Sequence, residues 1–286
     1  MKSAFQSFLL TLRMIKVEHS VFALPFALIS AMVAGGGIPP WNRLAWILVA
    51  MVTARSCAMA FNRLADRRFD QANPRTKNWP LAAGLLSTEF VIAFIILCSA
   101  LFVYSAYRLN HLAFILSPLA LAIIFFYSFT KRFTILSHWF IGLALAIAPA
   151  GAWIAVRGTL DFAPLLLSFA ILFWTAGFDL IYSCQDAEFD RQTKLHSVPS
   201  RLGLRTALII SNVCHFLMLL FLLAFGYYTS LGLWYFLGVV AAGSLLFYEH
   251  TLVSPQDLSR VNEAFFTVNG LIGVLLLIST SLALYL

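Results

Sequence analysis

Mostly apolar stretches near the ~20 residues that cross a bilayer as a helix recur along the whole chain, separated by short polar segments. A membrane β-barrel would instead show strands of about ten residues alternating in polarity. The pattern therefore predicts an all-α, polytopic membrane bundle. Nine transmembrane spans are expected, over residues 20–37, 44–61, 88–107, 112–129, 136–156, 163–183, 206–227, 231–250 and 264–285, in a single domain covering 1–286. A chain of 286 residues that is 61% hydrophobic and only 11% charged lies outside the range of ordinary soluble domains.

The net charge of +7 does not point to nucleic acid, because the basic residues are spread by loop instead of forming one patch. Fifteen Lys and Arg fall on one side of the expected bundle, against Arg43, Arg108 and Arg157 on the other. The excess of positive charge in cytoplasmic loops then predicts a cytoplasmic N-terminus and, with nine spans, an external C-terminus; the expected location is a bacterial inner membrane. The first segment carries Arg13, Lys16, Glu18 and His19 and no small-residue cleavage site, so it reads as a surface segment rather than a removable signal. Cys57, Cys98, Cys184 and Cys214 are far apart and sit in apolar runs, as buried thiols do.

Two polar islands interrupt this pattern in the same way. Asp66-x-x-Phe69-Asp70 returns as Asp186-x-x-Phe189-Asp190 at an offset of 120 residues, which brings Asn62 onto Tyr182. Each copy ends an apolar helix and is followed by a basic loop containing proline, so two related halves would bring two acidic rims to one face. On a continuous helix Asp66 lies beside Asp70 with Asn62 a turn below, and Asp186 beside Asp190 with Tyr182 below. An aspartate in the middle of a membrane helix costs about 2.5–3.5 kcal/mol, so a cation should meet it. Carboxylates with an amide nearby suit a hard ion such as Mg²⁺, which takes one or two carboxylates together with waters and substrate phosphates. Aspartates that merely pair with neighbouring arginines at a helix end would not recur twice with one spacing on one side.

The stretches "FNRLADRRFD" and "DLIYSCQDAEFDRQTKLHSVPSRLG", with "NPRTKNWPLAAG" and "YSFTKRF" between them, resemble the aspartate-rich motifs of the UbiA superfamily of intramembrane prenyltransferases. The resemblance implies nine helices around a central cavity capped by the two motif loops, and transfer of a polyprenyl chain from its diphosphate to an acceptor that is usually aromatic. It also implies that Asn62, Asp66, Asp70, Asp186 and Asp190 hold Mg²⁺ and, through it, the diphosphate. Asp179 and Tyr182 would line the same cavity, and Lys131 and Arg132, with Arg67 and Lys77, would contact diphosphate oxygens. Arg63 and Leu64 stand where 4-hydroxybenzoate enzymes often carry Asp and Tyr, which is similar to the branch labelled UbiA-like. The implied acceptor is an aromatic acid: 4-hydroxybenzoate for ubiquinone, or alternatively a naphthoate-type ring for menaquinone by the futalosine route. No obligate protein partner is indicated.

Arg55, seven residues before Asn62 and roughly on its helical face, is a functional candidate because it lies within a span; it would anchor the acceptor's carboxylate or pair with an aspartate such as Asp179. Asn262, Glu263 and Asn269 open the last span, with Glu263 read as an interfacial helix start. Lys16, Glu18 and His19 read as interfacial anchors at the start of the first. His111, His138, His215 and His250 have no metal-ligand spacing and read as loop or packing residues, and His196 lies in the second motif loop. The rival class is an ion-coupled carrier, whose charges belong near span centres and not at one rim.

Overall fold

In the computed structural model, residues 4–16 and 22–286 are described, the first five of them by backbone alone. Glu18 and His19 lie outside the described residues. The elements are α1 (Ala4–Ile15), α2 (Leu24–Gly35), α3 (Trp41–Ala65), α4 (Arg67–Ala72), α5 (Thr88–Leu109), α6 (His111–Thr130), α7 (Ser137–Arg157), α8 (Phe162–Ser183), α9 (Ala187–Gln192), α10 (Val198–Leu202), α11 (Leu204–Tyr228), α12 (Leu233–Thr251) and α13 (Asn269–Tyr285). The all-α expectation is met. Seven of the described helical segments have the length and apolarity to cross a bilayer, rather than nine. The other two expected spans correspond to α2, a 12-residue helix, and α12, whose end carries Tyr248, Glu249 and His250.

Helix α3 packs on α5, α5 on α6, α6 on α7, α7 on α8 and α8 on α11, while α2 packs on α7, and α13 closes the bundle by packing on both α12 and α2. Among the described residues three apolar cores result, the smallest joining α2, α3 and α7 through Ala27, Ile47 and Ala152. Of the other two, one joins α2, α8, α11, α12 and α13 around Trp174, Phe178, Phe225 and Tyr235, and the other joins α1, α3, α5 and α6 around Met14, Cys57, Val91 and Ile124. Outward-facing Ile96, Phe216, Val240 and Phe247 are more than half exposed, as an integral membrane protein requires where lipid replaces water. The four cysteines are buried.

Sequence explains the helix ends locally. Ser87 accepts from the Phe90 N–H at 3.2 Å to start α5, and Asn110 accepts from the Ala113 N–H at 2.9 Å to start α6. Gly158 stops α7 in a left-handed conformation, φ 76°, that glycine adopts without a side-chain clash. The Ile38 N–H donates to the Tyr285 hydroxyl at 2.8 Å, which puts the end of α13 on the face opposite α4 and α9.

Small residues set the helix spacing. A Cβ on Gly142 of α7 would come within 2.4 Å of the Leu172 carbonyl oxygen of α8, a backbone atom that cannot step aside alone. Gly142→Ala is expected to cost about 1–3 kcal/mol through this overpacking, read as a lower thermal midpoint of the purified protein in detergent.

Candidate active site

The repeat seen in the sequence is also a repeat of backbone geometry. Helix α3 breaks at Asp66, φ −94° and ψ 3°, and restarts as the six-residue α4; α8 ends in a single 3₁₀ turn, Cys184–Asp186, and restarts as the six-residue α9 after Asp186, φ −100° and ψ 1°. This corrects the expectation of one continuous helical face through Asp66 and Asp70 and another through Asp186 and Asp190. The chain turns at the first aspartate of each pair, because there it leaves the apolar bundle for its polar rim. Both pairs, with Phe69 and Phe189, still line one cavity of about 250 Å³.

Each carboxylate in that cavity is held by a group from elsewhere in the chain. Lys131 Nζ lies 2.6 Å from Asp66 Oδ2, and Asn62 Nδ2 donates to the same oxygen at 3.3 Å. Arg63 Nη1 pairs with Asp70 Oδ2 at 3.2 Å. Asp186 is gripped at both oxygens by the Arg75 guanidinium and accepts from Asn73 Nδ2 at 3.0 Å. Arg75 Nη1 also donates to the Tyr182 hydroxyl at 2.8 Å. Asp190 accepts from the Ser197 hydroxyl at 2.7 Å. The His196 N–H donates to the Lys131 carbonyl at 2.6 Å and ties the second motif loop to the basic segment between α6 and α7.

Burial pushes the Asp70 carboxyl above its usual range; Arg63 pulls it down and Asp66 pushes it further up. Burial is the largest single influence on Arg75 and works against its charge, but the hydrogen bonds to Asp186 and the charges of Tyr182, Asp186 and Asp70 together outweigh it and hold the guanidinium above its ordinary value.

Arg63 and Arg75 are the cations that the sequence alone did not single out. Arg67 instead donates to the Thr88 hydroxyl at 2.8 Å, and Lys77 is exposed; neither lines the cavity. One residue's rotation decides between adjacent basic side chains in a run such as Arg63, Arg67, Arg68, and spacing alone does not fix it. Arg132 stands at the rim, donating to the Ala65 carbonyl at 2.6 Å with Asp66 Oδ1 3.8 Å away. Lys16 packs over the Trp79 ring at 4.7 Å, beside Arg63 at 4.1 Å. Glu263 pairs with Arg260 at 2.8 Å at the helix start, as an interfacial residue does.

Asp179 faces the cavity from α8, and His138 holds it there. The Val198 N–H donates to His138 Nε2 at 3.3 Å, so the ring proton sits on Nδ1 and is donated to Asp179 Oδ2 at 2.8 Å. His138 thus joins α7, α8 and the start of α10, a role beyond the packing expected of it. His215 and His250 do pack together, 2.9 Å apart between α11 and α12. Arg55 lies deeper, where the cavity meets a second, apolar one of about 350 Å³; Arg55, Tyr127, Ile141 and Leu145 line both.

The donor set fits a hard divalent ion. Its oxygens come from carboxylates and the Asn62 amide, and buried Asp66 Oδ1 has no hydrogen-bond partner. Among the described residues no three His, Cys, Asp or Glu side chains are close enough to hold a metal by themselves, which suits Mg²⁺ completed by water and phosphate oxygens better than an all-protein cage.

The model of the UbiA prenyltransferase family matches residues 23–271. The chain belongs to that family. This prenyltransferase is 30% identical over 245 residues to the 4-hydroxybenzoate octaprenyltransferase of Nitrosomonas europaea, covering 85% of this chain and 82% of that protein. It superposes on the apo structure of a UbiA homologue from Aeropyrum pernix K1 with a TM-score of 0.84 and 31% identity, over 92% of this chain and 96% of that one. A UbiA homologue from Archaeoglobus fulgidus bound to DMAPP and Mg²⁺ shares the fold at a TM-score of 0.75 and 18% identity, over 96% of this chain and 98% of that one.

In the prenyltransferase, His138→Ala strips Asp179 and the Val198 N–H of a partner together. A loss of about 1–3 kcal/mol is expected, read as a lower thermal midpoint with faster amide exchange at Val198.

Proposed function

We propose that this prenyltransferase moves a polyprenyl group from polyprenyl diphosphate to the ring of 4-hydroxybenzoate, with Mg²⁺ at its two aspartate motifs, in the synthesis of ubiquinone. One observation carries the reading: Asp66, Asp70, Asp186 and Asp190 from both halves meet on a single cavity in which Arg63, Arg75 and Lys131 alternate with them. Carboxylates alone would suit a cation and basic groups alone an anion; interleaved, they suit a diphosphate bridged by metal. The names of relatives such as that of Nitrosomonas europaea support the acceptor, and the DMAPP and Mg²⁺ of the Archaeoglobus homologue support the donor and the ion.

Asn62, Asp66, Asp70, Asp186 and Asp190 would hold the ions, which when bound neutralise charge on the departing diphosphate. Arg63, Arg75 and Lys131 turn toward the diphosphate oxygens, with Arg132 at the rim. Their attraction grows as negative charge gathers on the leaving group, so it lowers the barrier more than it stabilises bound substrate. Phe22, Phe178 and Phe265 line the cavity and keep water from the allylic carbon as its bond breaks. Arg55, at the deep end, offers a planar fork to the acceptor's carboxylate. Tyr182, held by Arg75, and Asp179, held by His138, face the substrates from α8. The motif face is cytoplasmic in a bacterial inner membrane, with the N-terminus inside and the C-terminus outside, supported by the fifteen-to-three distribution of basic residues. The chain acts as one domain over 1–286.

The test is product formation by purified protein in detergent with Mg²⁺ and radiolabelled polyprenyl diphosphate, offering 4-hydroxybenzoate and 1,4-dihydroxy-6-naphthoate separately. Product from the first alone is expected; product from the second alone would move the acceptor to menaquinone synthesis, and none from either would overturn the reading. In the same assay Asp66→Ala and Asp186→Ala should abolish transfer, and Arg75→Ala should lower it by about 10²–10³. Lys77→Ala and Cys98→Ala should leave it near the starting rate.

A further inference from the structure

The last span begins with a turn wound wider than an α-helix: Glu263–Val268 is π-helical and passes into α13 at Asn269. Such a turn leaves backbone carbonyls short of their usual partners, so it persists where another group supplies them. Asn269 supplies them. Its side-chain amide donates to the carbonyls of Ala264 at 2.9 Å and Phe265 at 3.2 Å, and to Glu249 Oε1 at 3.0 Å. The Trp174 indole N–H in turn donates to the Asn269 side-chain oxygen at 2.6 Å. Asn269, Glu249 and Trp174 are all fully buried, a concentration of polar atoms that a membrane bundle does not carry without use.

What the pinned turn presents to the cavity is the Phe265 ring. It lies 4.2 Å from the Tyr182 ring, centroid to centroid, and packs edge-on against Phe22 and Phe178. Tyr182 is the residue whose hydroxyl accepts from Arg75, so this aromatic end adjoins the diphosphate end. From Glu249 the Asn269 amide takes one acceptor oxygen, which a glutamine offers equally well.

We propose that Asn269 is a positioning residue for prenyl transfer: it pins the π turn and thereby fixes Phe265 against Tyr182 as the wall that keeps water from the allylic carbon. This rests on the reading of the cavity as the transfer site. When diphosphate leaves, the allylic carbon bonds either to an acceptor ring carbon, which then loses its proton, or to water, which loses a proton and leaves a prenyl alcohol. The ratio of the two products depends on the cavity wall and not on how much of the enzyme is folded.

That ratio is measured with Mg²⁺, radiolabelled polyprenyl diphosphate and 4-hydroxybenzoate for the unaltered protein and for Asn269→Leu, Trp174→Phe, Phe265→Ala and Glu249→Gln, together with KM for the diphosphate. Prenyl alcohol should rise about tenfold relative to prenylated product in Asn269→Leu and Phe265→Ala, with KM within about twofold of its starting value. Trp174→Phe keeps an aromatic ring among Phe22, Phe26 and Phe178, so it serves if Asn269→Leu does not fold; the ratio should rise there by a smaller factor. Glu249→Gln should leave it unchanged. An unchanged ratio in Asn269→Leu and Trp174→Phe while Phe265→Ala raises it, or in Phe265→Ala itself, overturns the proposal, as does a rise in Glu249→Gln equal to that in Asn269→Leu. No prenylated product from the unaltered protein overturns the transfer reading instead.

Discussion

A carboxylate at the rim of a membrane bundle needs a cation, and here the cations come from segments remote in sequence. Asp66 is met by Lys131 from the turn between α6 and α7, and Asp186 by Arg75 from the segment between α4 and α5. Removing Lys131 would leave the buried Asp66 carboxylate without its cation, so these contacts tie the loops over the cavity to the helices below. The His196-to-Lys131 backbone bond adds the second motif loop to the same lattice. Catalytic preorganisation and fold stability therefore draw on one set of interactions. The groups proposed to receive a diphosphate already stand in place because the aspartates hold them.

Below that rim the architecture repeats with a change of detail. Each half sends a long helix to the motif face, breaks it at an aspartate and continues with a six-residue helix carrying a second aspartate. The first half breaks at a single residue and the second through a 3₁₀ turn. Closure of α13 on α2 then brings the residues just before these two helices into the site's wall, where Phe22 meets Phe265 at 5.4 Å. The cavity is polar toward the motif face and aromatic beyond it, a gradient suited to a substrate charged at one end and apolar at the other.

Much of this was legible in the sequence, because apolar span length and the 120-residue offset between the motifs are both properties of order along the chain. The family resemblance rested on the same residues. What the sequence did not reveal depends on rotation about a helix or on distance through space. Arg75 rather than Lys77, two residues away, turns inward, and Arg63 rather than Arg67 meets Asp70. The pairing of His138 with Asp179 spans 41 residues and has no local signature. The π turn at the start of the last span likewise has no periodicity to announce it; Asn269, a polar residue inside an apolar run, was the one available signal.

The central claim is that the two halves act on one diphosphate. Its most direct test is a structure of the protein with Mg²⁺ and a non-cleavable prenyl thiolodiphosphate. The account predicts the diphosphate between α4 and α9, with Asp66 and Asp186 both turned to the same metal-bound group and Arg75 reaching its oxygens. A diphosphate held by the motif of only one half, or outside this cavity, would contradict it.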